Sequence, residues 1–309
     1  MRTHATTARR AGAAALAAAA LAGCASFSPD GGFGPVAGAV REHTGREAAW
    51  ARTETERQAL EARASALLAK GPLSADDAVQ VALFNNRGLQ AQLAELGLAE
   101  ADLVQAARLP NPRFTLHRVS DDHHYALERS ISFNILSLVT LPLATEVEKR
   151  RFEGARQRAA MDVLRLAADT RKAWIDAVAA EEVVRYLRRV RLAADAGAEL
   201  AARMAKAGNW SALQRAREQG FYADAALAVA RAEQKAGSAR ERLTRHLGLW
   251  GPQAASLSLP ERLPDLPGAA RDRPDIEREA IATRLDVRAA MHDAEATART
   301  SGSRRSPAS

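Results

Sequence analysis

The chain has 309 residues, 26% of them charged and 47% hydrophobic, with a formal net charge of +7 and a single cysteine. One cysteine excludes an intrachain disulfide. The basic excess does not read as a nucleic-acid footprint, because arginines alternate with acids at helix-surface spacings, the pattern of solvated helical faces. Residues 1–23 contain Arg2, Arg9 and Arg10 and no acid, and end in an apolar run, Ala11–Ala22, too short to span a bilayer. They read as a signal peptide. Losing those three arginines lowers the net charge from +7 to +4.

The signal ends in Leu21-Ala22-Gly23-Cys24, which resembles a bacterial lipobox, in which the cysteine thiol is acylated and becomes the mature N-terminus. A plain signal peptide with a chance cysteine is the alternative. Ala25, rather than an acid, follows the cysteine, as in lipoproteins sent to the outer membrane. Residues 24–72 read as an N-terminal tether and helix. Ser26–Val40 is rich in Gly, Pro and small residues and is expected to be extended. Arg46–Lys70 is expected to be a polar helix stopped by Gly71-Pro72.

Residues 73–274 form one long unit of organisation. Ser74 is a helix N-cap with Asp76 and Asp77 in the first turn. Val79, Ala82 and Leu83 follow at helical spacing. Asn85-Asn86-Arg87-Gly88 breaks the helix, and a second one carries Leu89, Leu93, Leu96, Ala99 and Leu103 on one face. These helices, 74–109, end at Leu109-Pro110-Asn111-Pro112, where two prolines force an extended exit. Residues 113–137 alternate with period two and predict a β-hairpin. Phe114, Leu116, Tyr125, Leu127, Ile131, Phe133 and Ile135 make its apolar face. Thr115, His117, Glu128, Ser130, Ser132 and Asn134 make its polar face. Arg129 is an exception, placed at the rim, and Ser120-Asp121-Asp122 is the expected turn. His123 and His124 lack a third nearby ligand and read as exposed loop, so no metal site is expected. Leu138–Leu143 is expected to link strand to helix.

The dominant element follows. Residues 143–248 have no proline and are filled with strong helix formers. They predict a helix over 143–207, about 98 Å long, and a second over 211–248, about 55 Å to Leu247. Between them Gly208 or Asn209 supplies a left-handed stop and Ser211 an N-cap. Ala167, Thr170, Trp174, Ala177, Val184, Leu187 and Val190 form a seam interrupted at Glu181, while Asp169, Asp176 and Arg188 are expected to face water. The fold class is therefore mostly α: a long antiparallel helical hairpin with one short β-hairpin. Residues 252–274 hold five prolines and read as linker.

From Asp275 the earlier pattern starts again. ALFNNRGLQAQ at 82–92 aligns with AIATRLDVRAA at 280–290, offset by 198. Residues 275–299 are thus the expected start of a second repeat. At 300–309 the apolar pattern collapses into an aberrant tail, as in a chain truncated by a frameshift, a premature stop or a gene-model error.

LSADDAVQVALFNNRGLQ at 73–90, LPNP at 109–112, AGNWSALQRAREQ at 207–219 and RHLGLWG at 245–251, in that order, resemble the TolC-like outer-membrane efflux family, in its lipoprotein branch. The resemblance covers about residues 74–298. It implies that the strands contribute to a transmembrane β-barrel and the long hairpin to the wall of a helical tunnel, in a homotrimer anchored in the outer membrane and reaching into the periplasm. It implies passive transport in a tripartite efflux or secretion system, with an inner-membrane pump and a periplasmic adaptor that docks at the tip residues Gly208, Asn209, Trp210, Ser211 and Leu213. No cofactor is expected beyond the lipid on Cys24. One complete repeat per chain gives too few strands for a ring of three, so the chain by itself is not expected to conduct. From pattern alone, a half-buried hairpin in a soluble sheet reads the same as a barrel hairpin, and a plain coiled coil the same as a tunnel wall. The tip residues also serve as a simple turn. An outer-membrane-anchored helical lipoprotein with a spacing or partner-binding role is the other reading. An enzyme is not supported: no nucleophile–base set, metal-ligand cluster or phosphate-cradling glycine loop is present.

Overall fold

The computed structural model describes residues 26–109, 111, 113–121, 124–132, 134–266, 268, 274–284, 286–287, 290–291, 293–295 and 297–298. The signal peptide, Cys24, His123 and residues 300–309 lie outside them. The chain is mostly helical with one antiparallel strand pair. It divides into two compact units. The strand-bearing unit takes Leu93–Ala159 with the chain up to Val36 and from Glu279 onward; the hairpin unit takes Ala37–Gln92 and Ala160–Arg278.

The N-terminal segment differs from the expected tether. Gly34–Thr44 is a helix, α1. Val36 and Val40, four residues apart on one face, are buried, and that burial holds the helix together more than its composition opposes it. The next segment departs in the other direction: 46–52, expected to be helical, is not. Two glutamine side chains pin it. Gln80 accepts from the N–H of Glu47 (3.1 Å) and donates to its carbonyl (2.8 Å). Gln90 accepts from the N–H of Ala51 and donates to the carbonyl of Ala49, both at 2.9 Å. Each amide acts as a strand would, satisfying a donor and an acceptor of a backbone that has no helix ladder. Helix α2 then runs Glu54–Leu68, opened by a capping box between Thr53 and Glu56.

Helix α3 (Ala75–Asn85) starts at the Ser74 cap, whose hydroxyl accepts from the N–H of Asp77 at 3.0 Å. Asn86 breaks the ladder and α4 spans Arg87–Ala106. Val79, Ala82 and Leu83 are buried, as their spacing predicts. On α4 the buried stripe is Leu89, Leu93, Leu96, Glu100 and Val104; Ala99 and Leu103 are only half-buried. The strands are β1 (Arg113–Asp121) and β2 (His124–Ser132). The long helices are α5 (Ile135–Lys206) and α6 (Ala212–His246), followed by α7 (Pro252–Ala255) and α8 (Ile276–Thr283).

The start of α5 differs from the expectation of Ile135 on a strand and 138–143 as a link. The side chain of Asn134 accepts from the N–H of Ser137 at 3.1 Å, a helix cap, so the helix begins at Ile135 and runs through Pro142. Pro142 has no N–H to give the carbonyl four residues before it. Thr145, three residues on, donates its hydroxyl to the Leu141 carbonyl at 2.8 Å.

The core of the hairpin unit gathers around Trp174. Leu68 and Leu73, Val81 and Phe84, Ala177 and Val178, and Leu243 and Leu247 are buried in the same cluster. The indole N–H of Trp174 donates to the Leu73 carbonyl at 2.8 Å, so the largest apolar side chain enters the core with its one polar group satisfied. At the rim, Asp76 lies between Arg171 and Arg46. The Arg171 guanidinium, donating to it, holds its carboxyl below the ordinary aspartate value, and Arg46 adds to this.

Helices α3 and α8 end at positions that the sequence alignment pairs. The N–H of Asn86 reaches the Ala82 carbonyl at 3.0 Å and ends α3; 198 positions later the N–H of Arg284 reaches the Ala280 carbonyl at 2.9 Å and ends α8.

Candidate functional site: hairpin tip and strand pair

Within the hairpin unit, α5 beyond Ala160 and α6 run antiparallel. Asp176 meets Arg242 at 3.6 Å, Glu181 meets Arg240 at 2.9 Å, and Arg188 meets Glu233 at 2.7 Å: partners fall along one helix as they rise along the other. The Glu181 interruption of the seam is thus a cross-helix pair. Ala167, Thr170, Trp174, Ala177 and Val184 of the expected seam are buried, and Leu187 and Val190 half-buried. Toward the tip the buried side chains are mostly small, Ala194 and Ala201 on α5 and Ala225, Val229 and Ala232 on α6. Large apolar side chains point elsewhere: Leu192, Leu200, Phe221 and Leu227 are all exposed.

The tip forms as its residues dictate. Gly208 takes φ +80°, its N–H bonds the Ala205 carbonyl (3.1 Å), and the N–H of Asn209 bonds the Met204 carbonyl (3.0 Å). This is a Schellman stop, which satisfies the last carbonyls of α5. Ser211 then caps α6: its hydroxyl accepts from the N–H of Gln214 at 3.2 Å, and the Gln214 side chain accepts from the N–H of Ser211 at 2.8 Å. Ala160–Lys206 carries this turn about 70 Å along α5. The turn brings Gly208, Asn209, Trp210, Ser211 and Leu213 together. Leu213 is the bare apolar group, 62% exposed. Trp210 is half-buried, since a large indole gains from any cover a turn offers.

The far end of α6 holds a second Schellman stop. Gly248 takes φ +67°, its N–H bonds the Arg245 carbonyl, and the N–H of Leu249 bonds the Thr244 carbonyl. Here Asn85 donates its side-chain amide to the carbonyls of Leu247 (3.1 Å) and Gly248 (2.9 Å). Asn86 accepts from the N–H of Leu89 (2.9 Å), capping α4, and donates to the His246 carbonyl (2.9 Å). The two asparagines that read as a helix break therefore also close the end of a helix 160 residues away. A Cβ on Gly248 would lie 2.6 Å from the Asn85 carbonyl oxygen, so the approach needs glycine.

In the strand-bearing unit, β1 and β2 pair with Phe114 opposite Ile131, Leu116 opposite Arg129, Arg118 opposite Leu127, and Asp121 opposite His124. Opposed residues share a face. Phe114, Leu116, Leu127 and Ile131 lie together and are 45–63% exposed. Thr115, Ser130, His117 and Glu128 share the other face. Three details differ from expectation. Ser120 and Asp121 belong to β1 rather than to the turn. Arg129 lies mid-strand between Leu127 and Ile131, not at a rim, and Arg118 joins it on the apolar face. Long arginine stems let such residues line apolar surface while the charge reaches polar surroundings.

Among the described residues no helix is long and apolar enough to cross a membrane, and no group of three His, Cys, Asp or Glu residues is placed to hold a metal.

No family profile matches the chain, and no curated protein matches it by sequence. Solved structures do. The Campylobacter jejuni CmeC outer membrane channel superposes with a TM-score of 0.63 at 14% identity. A membrane protein from Pseudomonas aeruginosa gives 0.61 at 19%, and CusC, described by its transmembrane channel formation, 0.58 at 15%. The chain has the TolC-like fold. Each match covers 72–73% of this chain and 52–55% of the other, so the chain spans about half the length of these TolC-like structures.

Proposed function

We propose that the chain is an outer-membrane channel component of a tripartite efflux or secretion system and that transport through it is passive. The observation that carries this is the strand pair: four large apolar side chains bare on one face, with the long stems of Arg118 and Arg129 among them, and polar groups on the other, in a chain of TolC-like fold. That division suits lipid on one side and a watery lumen on the other. A lone strand pair has two unpaired edges, and lipid offers no hydrogen bonds to satisfy them. Further strands must therefore meet those edges, and a homotrimer is the assembly proposed; one strand pair from each of three copies is too few to close the ring, so the chain is proposed as a component of the channel and not as a conducting pore by itself. In each copy the α5–α6 hairpin supplies wall to a helical tunnel in the periplasm. Gly208, Asn209, Trp210, Ser211 and Leu213 dock a periplasmic adaptor, and an inner-membrane pump supplies the energy. The lipid on Cys24 anchors the N-terminus in the outer membrane. The chain contributes no catalytic step.

The test uses the chain in cells with a benzophenone amino acid at Leu213. Ultraviolet light is expected to cross-link it, in the outer-membrane fraction, to an adaptor protein identified by mass spectrometry. Leu213→Asp should reduce co-purification of that adaptor at least tenfold while leaving membrane fractionation unchanged. In a Cys24→Ser background that lacks the lipid anchor, Phe114→Asp with Ile131→Asp should deplete the membrane fraction instead. Recovery of the wild-type chain in the soluble periplasm, or full adaptor recovery by Leu213→Asp, would sink the reading.

A further inference from the structure

The segment just after Cys24 is fastened to the strand-bearing unit. Ser28 gives its backbone N–H, at 2.7 Å, and its hydroxyl to one carboxylate oxygen of Glu100. Glu100 is 5% exposed, and these bonds account for a carboxylate on the buried stripe of α4. Asp30 accepts from the N–H groups of Gly32 (3.0 Å) and Gly34 (2.6 Å), which builds the turn into α1. Beside this clamp a groove of about 700 Å³ lies between the end of α4 and the first turns of α5, lined among others by Phe27, Val104, Gln105, Arg108, Thr140 and Leu141. Its lining mixes apolar surface with amide and guanidinium donors.

We propose that this groove holds the glyceryl ester junction of the lipid on Cys24, from which the acyl chains pass into the membrane. The proposal rests on the reading that Cys24 is acylated. Cys24 precedes Phe27 by three residues, at most about 11 Å of extended chain, and Phe27 itself lines the groove. With Ser28 held by Glu100, that reach limits how far the attachment point of the lipid can lie from the groove. The chemistry of the lining selects the part of the lipid. An acyl tail calls for apolar walls alone; a phosphate calls for donors alone. The ester junction has carbonyl oxygens that accept from Gln105 and Arg108, and methylenes that lie against Phe27, Val104 and Leu141. The clamp then makes the lipid a rigid part of the strand-bearing unit and sets where that unit meets the bilayer.

The experiment uses the whole chain, produced in cells fed an alkyne-tagged fatty acid, with a benzophenone amino acid at Leu141 or, in a second protein, at Gln105. Intact mass before irradiation reports acylation of Cys24. After irradiation, the peptide carrying position 141 or 105 is expected to be joined to the tagged Cys24 lipopeptide. A benzophenone at Leu192, on the hairpin, is the control and should give none. Ala144 lines the same groove, and Ala144→Trp should lower the yield at least fivefold; so should Glu100→Ala, by freeing Ser28. A tagged Cys24 that cross-links no better from 141 and 105 than from 192, or attachment only to bulk phospholipid, would overturn the groove while leaving acylation intact. Absence of the tag from Cys24 would overturn the acylation reading, and the groove with it.

Discussion

The two turns that bound α6 have the same backbone and opposite surroundings. At Gly208 and at Gly248 the chain leaves a helix through a left-handed glycine with the same pair of hydrogen bonds. Nothing lies within 4 Å of a Cβ built on Gly208, whereas one built on Gly248 meets the Asn85 backbone at 2.6 Å. The first turn is sealed by its own residues and leaves Leu213 bare. The second is sealed by side chains from the α3–α4 break. Local sequence sets the turn; tertiary packing decides whether it is a free surface or a closed joint.

The largest effect expected from testing this contrast is at Gly248. Alanine there meets the left-handed backbone penalty and a collision with the Asn85 backbone, together about 3–5 kcal/mol. Gly208→Ala should cost only about 1–2 kcal/mol, from the backbone alone. Urea unfolding followed by helical circular dichroism measures both, and equal losses would erase the distinction. Next is Asn85→Ala, which leaves the Leu247 and Gly248 carbonyls without their side-chain donor, at about 2–3 kcal/mol. Asn209→Ala at the open turn should stay within about 0.5 kcal/mol. Ser211→Ala, which removes the α6 cap, falls between these two at about 1 kcal/mol. A loss there as large as at Asn85 would mean that the tip is part of the stability core.

Much of this was legible in the sequence because its causes are local. Ser74 and Ser211 cap the helices they precede, Gly208 stops α5, and the proline-free run after Pro142 is one helix before the tip and one after. The period-two alternation located both strands, and its register places Phe114 and Ile131 together. The misreadings have distant causes. Residues 46–52 have helical composition, but the amides that hold them extended belong to Gln80 and Gln90. Glu100 replaces an expected apolar contact because its partner, Ser28, is 72 residues away. Asn85-Asn86 reads as a break, and nothing near it in sequence says that it closes α6.

The asparagine joint also orders the events of folding. Asn85 and Leu247 are separated by 162 residues, and the length-dependent entropy of closing so long a loop is about 4–5 kcal/mol. That penalty falls once the hairpin has zipped from Gly208, because α6 then returns alongside α5 and carries Leu247 back toward the base. The tip turn is therefore the expected early nucleus and the Asn85–Gly248 joint the expected late lock, an order that folding rates of Gly208→Ala and Asn85→Ala would check. Damage to the nucleus slows folding, and damage to the lock speeds unfolding. The lifetime of the folded hairpin is thus set at its closed end, about 50 Å of helix away from the turn that starts it.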